Sequence, residues 1–308
     1  MKKLFYTLSF FLAGVVLITS CETVINPELE KVENVLAVDA WINNKPGKQT
    51  ITLAMTQSYF DNALPPGVSG ATVTVENVST GKICAFNEVV GGKGAYVWTP
   101  SSTTELVGQS GDNFKLTIIA SGQTYESFSS MGRVPVIDSL TFTYEEKSSF
   151  FPASYNAEFW ATDLVGAGDT YWIRATKNDT LLNNPSEISL AYDAGFSNGS
   201  NFDGIEFIPP IRSSINPFNQ DEDGNFLSPY SPGDKLYVEI QSVSLAAYNY
   251  LAQVSVQTNR PGGFSELFSS PIANVSTNIA NRNANGKKAV GFFNVAAISS
   301  LSKKVEKK

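Results

Sequence analysis

Oxygen-bearing side chains at alternate positions mark a short acidic segment of the sequence. Asp221, Asp223 and Asn225 could together supply oxygen ligands to a hard cation such as Ca²⁺. An EF-hand loop needs Gly at its sixth position and Glu at its twelfth, and here these positions hold Phe226 and Pro232. The sequence therefore excludes an EF-hand. Two interpretations stay open, a calcium loop of another type and a solvated turn stabilised by Asx contacts, and the turn is favoured.

Acidic side chains in or near strand-like segments could perform hydrolysis, since glycoside cleavage needs two carboxyl groups at a defined separation. The sequence alone brings no two of them together, and we expect most to face outward from strands or turns. We therefore expect a protein that is not an enzyme, with a glycan-directed, carboxylate- or metal-dependent hydrolase as the alternative. The carboxylates considered are Asp39, Glu158, Asp163, Asp169, Glu206 and Glu239.

The sequence contains no histidine and two cysteines. The missing histidine excludes Ser-His-Asp and Cys-His nucleophiles, His-ligated zinc and histidine pH switches. Cys84 lies in a strand-like run, Lys82 to Phe86, with no neighbouring base to activate a thiol. We expect Cys84 to be a small buried core residue.

The first 21 residues have the order of a secretory signal. Two lysines precede the apolar stretch Leu4–Ile18, and Thr19 and Ser20 stand directly before Cys21. Small residues followed by cysteine resemble a bacterial lipobox, in which the cysteine is acylated, with palmitate among the expected chains. The apolar stretch is about 15 residues, short of the roughly 20 that cross a bilayer. We therefore predict a lipid anchor on Cys21, which leaves no pair of cysteines for an intramolecular disulfide.

Composition and short strand-like runs predict an all-β exported protein. Charged residues make up 17% of the chain and aromatic residues 12%, and Gly and Pro are frequent. The formal net charge of −7, without a basic stripe, argues against nucleic acid as a partner. In Ala71–Glu76 apolar and polar residues alternate, as in a strand with one buried face.

The spacing of these runs divides the chain. About seven short strands within 100 residues are typical of an immunoglobulin-like β-sandwich. Arg133-Val134-Pro135 resembles a hinge, and Ser244 is placed to cap one short helix in the second half. The predicted parts are a signal peptide (1–20), a tether (21–33), the immunoglobulin-like β-sandwich (34–132), a second β-rich domain with one short helix (136–300) and a charged tail (301–308).

Two pairs of adjacent aromatics lie in turn-rich segments, Tyr59-Phe60 and Phe150-Phe151. In an extended segment two adjacent side chains point to opposite sides, so both members of a pair cannot easily face inward. We predict that these four residues contact a partner or ligand.

Six short motifs follow the predicted lipobox: Val35–Ile42, Gly70–Val75, Gly94–Tyr96, Leu236–Ile240, Tyr248–Leu251 and Gly291–Phe293. Their order resembles a family of Bacteroidetes lipoproteins defined by a domain of unknown function. The resemblance implies a β-sandwich protein tethered to the outer membrane, often encoded beside TonB-dependent receptors, with no established catalytic residues. In related lipoproteins a run of acidic residues after the cysteine directs the protein to the cell surface. Here Glu22 is the only acidic residue directly after Cys21, so both locations, the cell surface and the periplasmic face of the outer membrane, stay open.

Two tripeptides, Asp138-Ser139-Leu140 and Asp179-Thr180-Leu181, resemble an O-glycosylation motif of exported proteins in the same bacterial group. Thr180, in a polar loop, is the better candidate, and Ser139 begins a predicted strand.

These observations predict an outer-membrane-anchored lipoprotein that acts as a binding or accessory module, together with a TonB-dependent receptor in nutrient uptake. No cofactor is expected, calcium at Asp221, Asp223 and Asn225 being the one considered. The alternatives are the hydrolase and a purely structural role in the envelope.

Overall fold

The structure, a computed structural model, describes residues 33–58, 61, 63–147, 153–199, 201–217 and 228–307. From Asn34 onward the chain forms one compact unit. Its strands are β1 (Leu36–Asn43), β2 (Gln49–Met55), β3 (Thr72–Asn77), β4 (Lys82–Glu88), β5 (Ala95–Trp98), β6 (Asn113–Ala120), β7 (Gln123–Ser130), β8 (Ile137–Glu145), β9 (Ser154–Ala161), β10 (Thr170–Lys177), β11 (Thr180–Leu181), β12 (Ser189–Tyr192), β13 (Lys235–Ser242), β14 (Ala280–Asn281), β15 (Ala289–Ala296) and β16 (Ile298–Lys304). The helices are α1 (Pro209–Arg212) and α2 (Leu245–Thr258), with 3-10 turns at Pro185–Glu187 and Gly263–Phe268.

The predicted all-β class is confirmed. Nine strands form one sheet in the order β14-β7-β6-β3-β4-β5-β2-β1-β15. β4 pairs with β3 along most of its length and with β5 only at Asn87 and Glu88, so the sheet turns a corner there. At its far end the Val295 N–H donates to Ser129 Oγ on β7 (3.0 Å). The sheet therefore nearly closes on itself, as a β-sandwich whose two layers share one core.

Alternating residues of these strands fill that core. On β1 the side chains of Leu36, Val38, Ala40 and Ile42 are buried, and those between them are partly or largely exposed. This period of two is the pattern of a strand with one buried face. Cys84 on β4 is buried in the same core, as predicted, and burial raises the pKa of its thiol.

The last long strand of this sheet comes from the distant C-terminal part of the chain. β15 runs parallel to β1, with Leu36 opposite Ala289 and Val38 opposite Gly291. Phe293 and Val295 of β15 enter the sandwich core. The predicted division assigned these residues to the second domain, whereas the structure places them in the first sheet, because their apolar side chains complete its core.

A second core lies under a five-stranded sheet and a separate hairpin. The sheet has the order β11-β10-β13-β16, with β12 also paired to β10, and β8 pairs with β9. Phe207 meets Phe159 and Tyr171 edge to face, with ring centroids 5.5 and 5.6 Å apart. These aromatic pairs fix how the segment before α1 packs on β9 and β10.

The predicted helix and its cap are confirmed as α2. Ser244 Oγ accepts a hydrogen bond from the Ala247 N–H (3.2 Å), which satisfies one free donor of the first turn. Ala247 and Leu251 are the buried residues of this helix. Among the described residues, no helix is long and apolar enough to cross a bilayer.

Candidate functional site

The outer face of β1 forms the floor of a cavity. Asp39 lies on this face, opposite Thr52 of β2, and Ala37 lies opposite Ala54. In an antiparallel pair, directly opposed residues share one face of the sheet, so these four side chains point away from the sandwich core. The floor is therefore a small polar and apolar surface with one carboxylate.

Helix α2 and the segment after it form the roof. Tyr250 of α2, together with Asn274 and Val275, covers part of the cavity over β1, which has a volume of about 450 Å³ and stays open to solvent. Gln257 Oε1 accepts from the Ala273 N–H (3.0 Å), and the side chain of Gln253 also binds this segment. The roof is thus tied to the helix by hydrogen bonds.

Asp39 is the charged residue of the lining. Its carboxylate has no hydrogen-bond partner among the described residues, although its side chain remains open to solvent. Burial by the surrounding protein raises the pKa of Asp39, and the charge of Arg174 partly offsets this shift. A partly buried carboxylate without a hydrogen-bond partner is stabilised most by a ligand that donates hydrogen bonds to it.

Arg174 does not line the cavity but interacts electrostatically with Asp39. The Arg174 guanidinium stacks over the ring of Trp172, 4.5 Å from the ring centroid. In the sheet, Arg174 of β10 lies directly opposite Glu239 of β13. Burial lowers the pKa of Arg174, while Glu239 and Asp39 oppose that shift. The guanidinium therefore supplies positive charge to both carboxylates.

Glu239 joins the second sheet to the sandwich. It forms an ion pair with Lys45, in the turn after β1, and accepts hydrogen bonds from Tyr237 (2.7 Å) and Gln241 (2.8 Å). Burial raises the pKa of Glu239, but these hydrogen bonds outweigh burial and hold it below its ordinary value. Glu239 is thus fully occupied by structural contacts.

A second group of carboxylates lies in the loops beside β10. Oxygens of Asp163, Asp193 and Asp203 come within 4.8 Å of one another. Tyr171 Oη donates to Asp163 (2.7 Å), and burial raises the pKa of Asp163 despite this hydrogen bond. The Gly168 N–H donates to Asp193 (2.8 Å). Oxygen ligands in this arrangement suit a hard cation.

The remaining predicted carboxylates form ion pairs with arginines. Glu158 and Glu206 both face Arg212, at 3.7 and 3.6 Å. Asp169 forms an ion pair with Arg133 (2.7 Å). These three acidic side chains are therefore engaged with arginines.

The two glycosylation candidates, Ser139 on β8 and Thr180 on β11, are both exposed to solvent.

Several predicted site residues lie outside the described residues. The predictions for the lipid anchor, the acidic segment and the aromatic pairs stay predictions. They concern Cys21, Asp221, Asp223, Asn225, Tyr59, Phe60, Phe150 and Phe151.

Some residues that line these sites have no recognisable pattern in the sequence. Asp193 and Asp203 stand alone in loops, and only the fold brings them to Asp163. Tyr250 was visible as part of the predicted helix, but its position over Asp39 depends on how α2 packs across the sheet.

A separate stretch, residues 256–272, exposes large apolar side chains. Phe264, Leu267 and Phe268 are 76%, 75% and 80% exposed, and the two phenyl rings touch edge to face at 5.6 Å. Arg260 holds the stretch together through Glu266 and the Ser270 carbonyl (3.0 Å). Val256 and Ile272 are also exposed. We call this stretch the 256–272 surface.

Most of the chain matches a known protein family. The family model described as "Domain of unknown function (DUF4249)" matches residues 22–302. The chain therefore belongs to this family, and the predicted membership in a family of unknown function is confirmed. A search of curated proteins found no match.

Proposed function

We propose that this protein is an outer-membrane lipoprotein of Bacteroidetes, anchored through Cys21, that acts as an accessory subunit of a TonB-dependent receptor in nutrient uptake. The signal sequence ending at Cys21 supports the anchor, and the resemblance described above supports the receptor as partner. The observation that carries the accessory role is the 256–272 surface.

Exposed apolar side chains of this size favour a docking role. Phe264, Leu267 and Phe268 leave about three quarters of their surface in water, where they gain no burial energy. Arg260 and its contacts orient the stretch, so its apolar side chains form a preformed surface. Aromatic residues are also enriched where protein interfaces derive most of their energy. The proposed occupant is the wall of the receptor.

The test is capture of the native lipoprotein from gently solubilised outer membranes, with co-purified proteins identified by mass spectrometry. Stoichiometric recovery of a TonB-dependent receptor is expected from the unmodified protein. A variant with Phe264→Ser and Phe268→Ser should keep the lipid anchor and lose the receptor.

Two controls separate the anchor from the docking surface. Phe128→Ser changes a phenylalanine that is exposed on β7, away from the 256–272 stretch in the sequence, and should retain the receptor. Cys21→Ala removes the anchor and should release the protein from the membrane. Recovery of the unmodified lipoprotein without any receptor would refute the accessory role.

A further inference from the structure

We propose that the cavity between β1 and α2 binds a neutral saccharide of one or two rings. No residue that lines the cavity belongs to the 256–272 surface, although Gln257 of that stretch supports the roof. Saccharide binding and the docking tested at Phe264 and Phe268 can therefore fail independently.

The cavity has the size and rigidity of a small-molecule site. Its volume of about 450 Å³ falls within the roughly 300–1,000 Å³ of typical ligand pockets. On the floor, Gly291 brings β15 against β1 so closely that a Cβ atom would lie 1.9 Å from the Val38 carbonyl oxygen. Above it, the side chains of Gln253 and Gln257 fix the roof segment to α2. A site that is already formed loses little free energy to ordering when the ligand binds.

Asp39 supplies the strongest polar interaction. Its carboxylate has no hydrogen-bond partner among the described residues and faces the cavity. A carboxylate accepts hydrogen bonds only, so its partner must carry donors such as hydroxyl or ammonium groups. Arg174 already places a positive charge near Asp39, so a cationic ligand would be repelled by this guanidinium, whereas a neutral donor would not. Neutral donors, hydroxyl or amide N–H groups, are therefore favoured.

The rest of the lining presents polar groups on both sides and one aromatic ring. Thr52 stands opposite Asp39 on the floor, and Asn274 lies in the roof, so hydroxyl and amide groups are available as donors and acceptors. The ring of Tyr250 is held by Phe292, with centroids 4.7 Å apart. Aromatic rings provide a flat apolar surface. A sugar ring, with hydroxyl groups around its edge and C–H groups on its faces, matches this combination.

Saturation-transfer NMR on the mature protein, followed by calorimetry, tests the proposal. The neutral probes are glucose, galactose, mannose, xylose, N-acetylglucosamine, maltose and cellobiose. Glucosamine and glucuronate, of similar size to glucose, provide a cation and an anion. We expect transfer to at least one neutral sugar and weaker binding of both charged sugars.

Two matched variants locate the binding. Asp39→Asn keeps the shape of the side chain but replaces one acceptor oxygen with a donor, and should weaken binding about tenfold, equivalent to about 1.4 kcal/mol. Asp138→Asn makes the same change at an exposed position on β8 and should leave the affinity unchanged. Thermal unfolding of each variant checks that the fold is intact.

Three results would overturn the proposal. One is that none of the neutral sugars in the set shows saturation transfer. Another is an affinity that Asp39→Asn leaves unchanged in a folded protein. The third is tighter binding of glucosamine than of glucose, which would make the cavity a site for cationic ligands.

Discussion

The indole rings of Trp41 on β1 and Trp172 on β10 meet edge to face, with their centroids 5.2 Å apart. Trp41 also stacks on Phe292 of β15 at 6.0 Å, while Trp172 carries the guanidinium of Arg174. The contact therefore connects the outer face of the sandwich to the five-stranded sheet. It lies beside the cavity that contains Asp39, so the packing of the two sheets also shapes the candidate site.

Removing one ring from this contact should destabilise the whole unit. Trp172→Ala deletes the edge-to-face pair and the surface on which Arg174 stacks, leaving a void between the sheets. We expect a loss of about 3 kcal/mol in the free energy of unfolding. Urea denaturation measures it. Phe264→Ala, at an exposed position, should change stability by less than about 0.5 kcal/mol. Equal losses in both variants would contradict the proposed role of the contact.

The ion pair between Lys45 and Glu239 should make stability depend on acid pH. The pKa of Glu239 lies below its ordinary value of 4.5 in the folded protein. A carboxyl group of this kind stabilises the fold above its unfolded pKa, and this contribution disappears as the pH falls through its folded pKa. Glu239→Gln should therefore destabilise the protein near neutral pH and have a smaller effect well below pH 4.

Urea midpoints of the two proteins across this pH range measure the difference directly. Comparing the variant with the unmodified chain cancels the contributions of other acidic residues with lowered pKa, such as Glu126 and Asp234. A stability difference that is constant over the acid range would mean that Glu239 does not ionise differently in the folded and unfolded states.

Gly291 should be essential for pairing β15 with β1. Its φ of +91° favours glycine, and a Cβ atom would overlap the Val38 carbonyl oxygen. Gly111 has a φ of +94° with no atom within 4 Å of the added Cβ. Gly111→Ala should thus cost only backbone strain, about 1–2 kcal/mol. Gly291→Ala adds the clash and should cost at least about 2 kcal/mol more.

Thermal unfolding of these two alanine variants, followed by circular dichroism, separates strain from overlap. If Gly291→Ala unfolds at the same temperature as Gly111→Ala, the added Cβ atom does not overlap Val38, and the close packing of β15 against β1 described above is contradicted. The same result would weaken the cavity floor on which the saccharide proposal depends.

Local features of the fold could be predicted from the sequence, and long-range ones could not. The alternation in Ala71–Glu76 and the Ser244 cap depend on neighbouring residues, and both appear in the structure, as β3 and the start of α2. The parallel pairing of β15 with β1 depends on residues far apart in the chain. No local sequence pattern indicates which sheet a strand such as Ala289–Ala296 will join.

The candidate sites show the same limit. Asp39 and Asp163 were recognised as carboxylates, but their environments come from other segments: Arg174 and Tyr250 for Asp39, Asp193 for Asp163. Contacts of this kind arise from packing between elements. A single sequence contains the residue types without their distances.

The carboxylates of Asp163, Asp193 and Asp203 should repel one another, because their oxygens lie within 4.8 Å. Asp203 is the most exposed of the three, and its Oδ1 accepts a hydrogen bond from the Gly166 N–H (2.9 Å) that an asparagine can also accept. Asp203→Asn should therefore raise the unfolding temperature in the presence of EDTA, since it removes one negative charge and keeps the hydrogen bond. Like charges in close contact cost about 0.5–1 kcal/mol near a protein surface. Asp138→Asn is the matched control and should unfold at the temperature of the unmodified protein. A lower unfolding temperature for Asp203→Asn would show that the third carboxylate stabilises the loops more than it repels its neighbours.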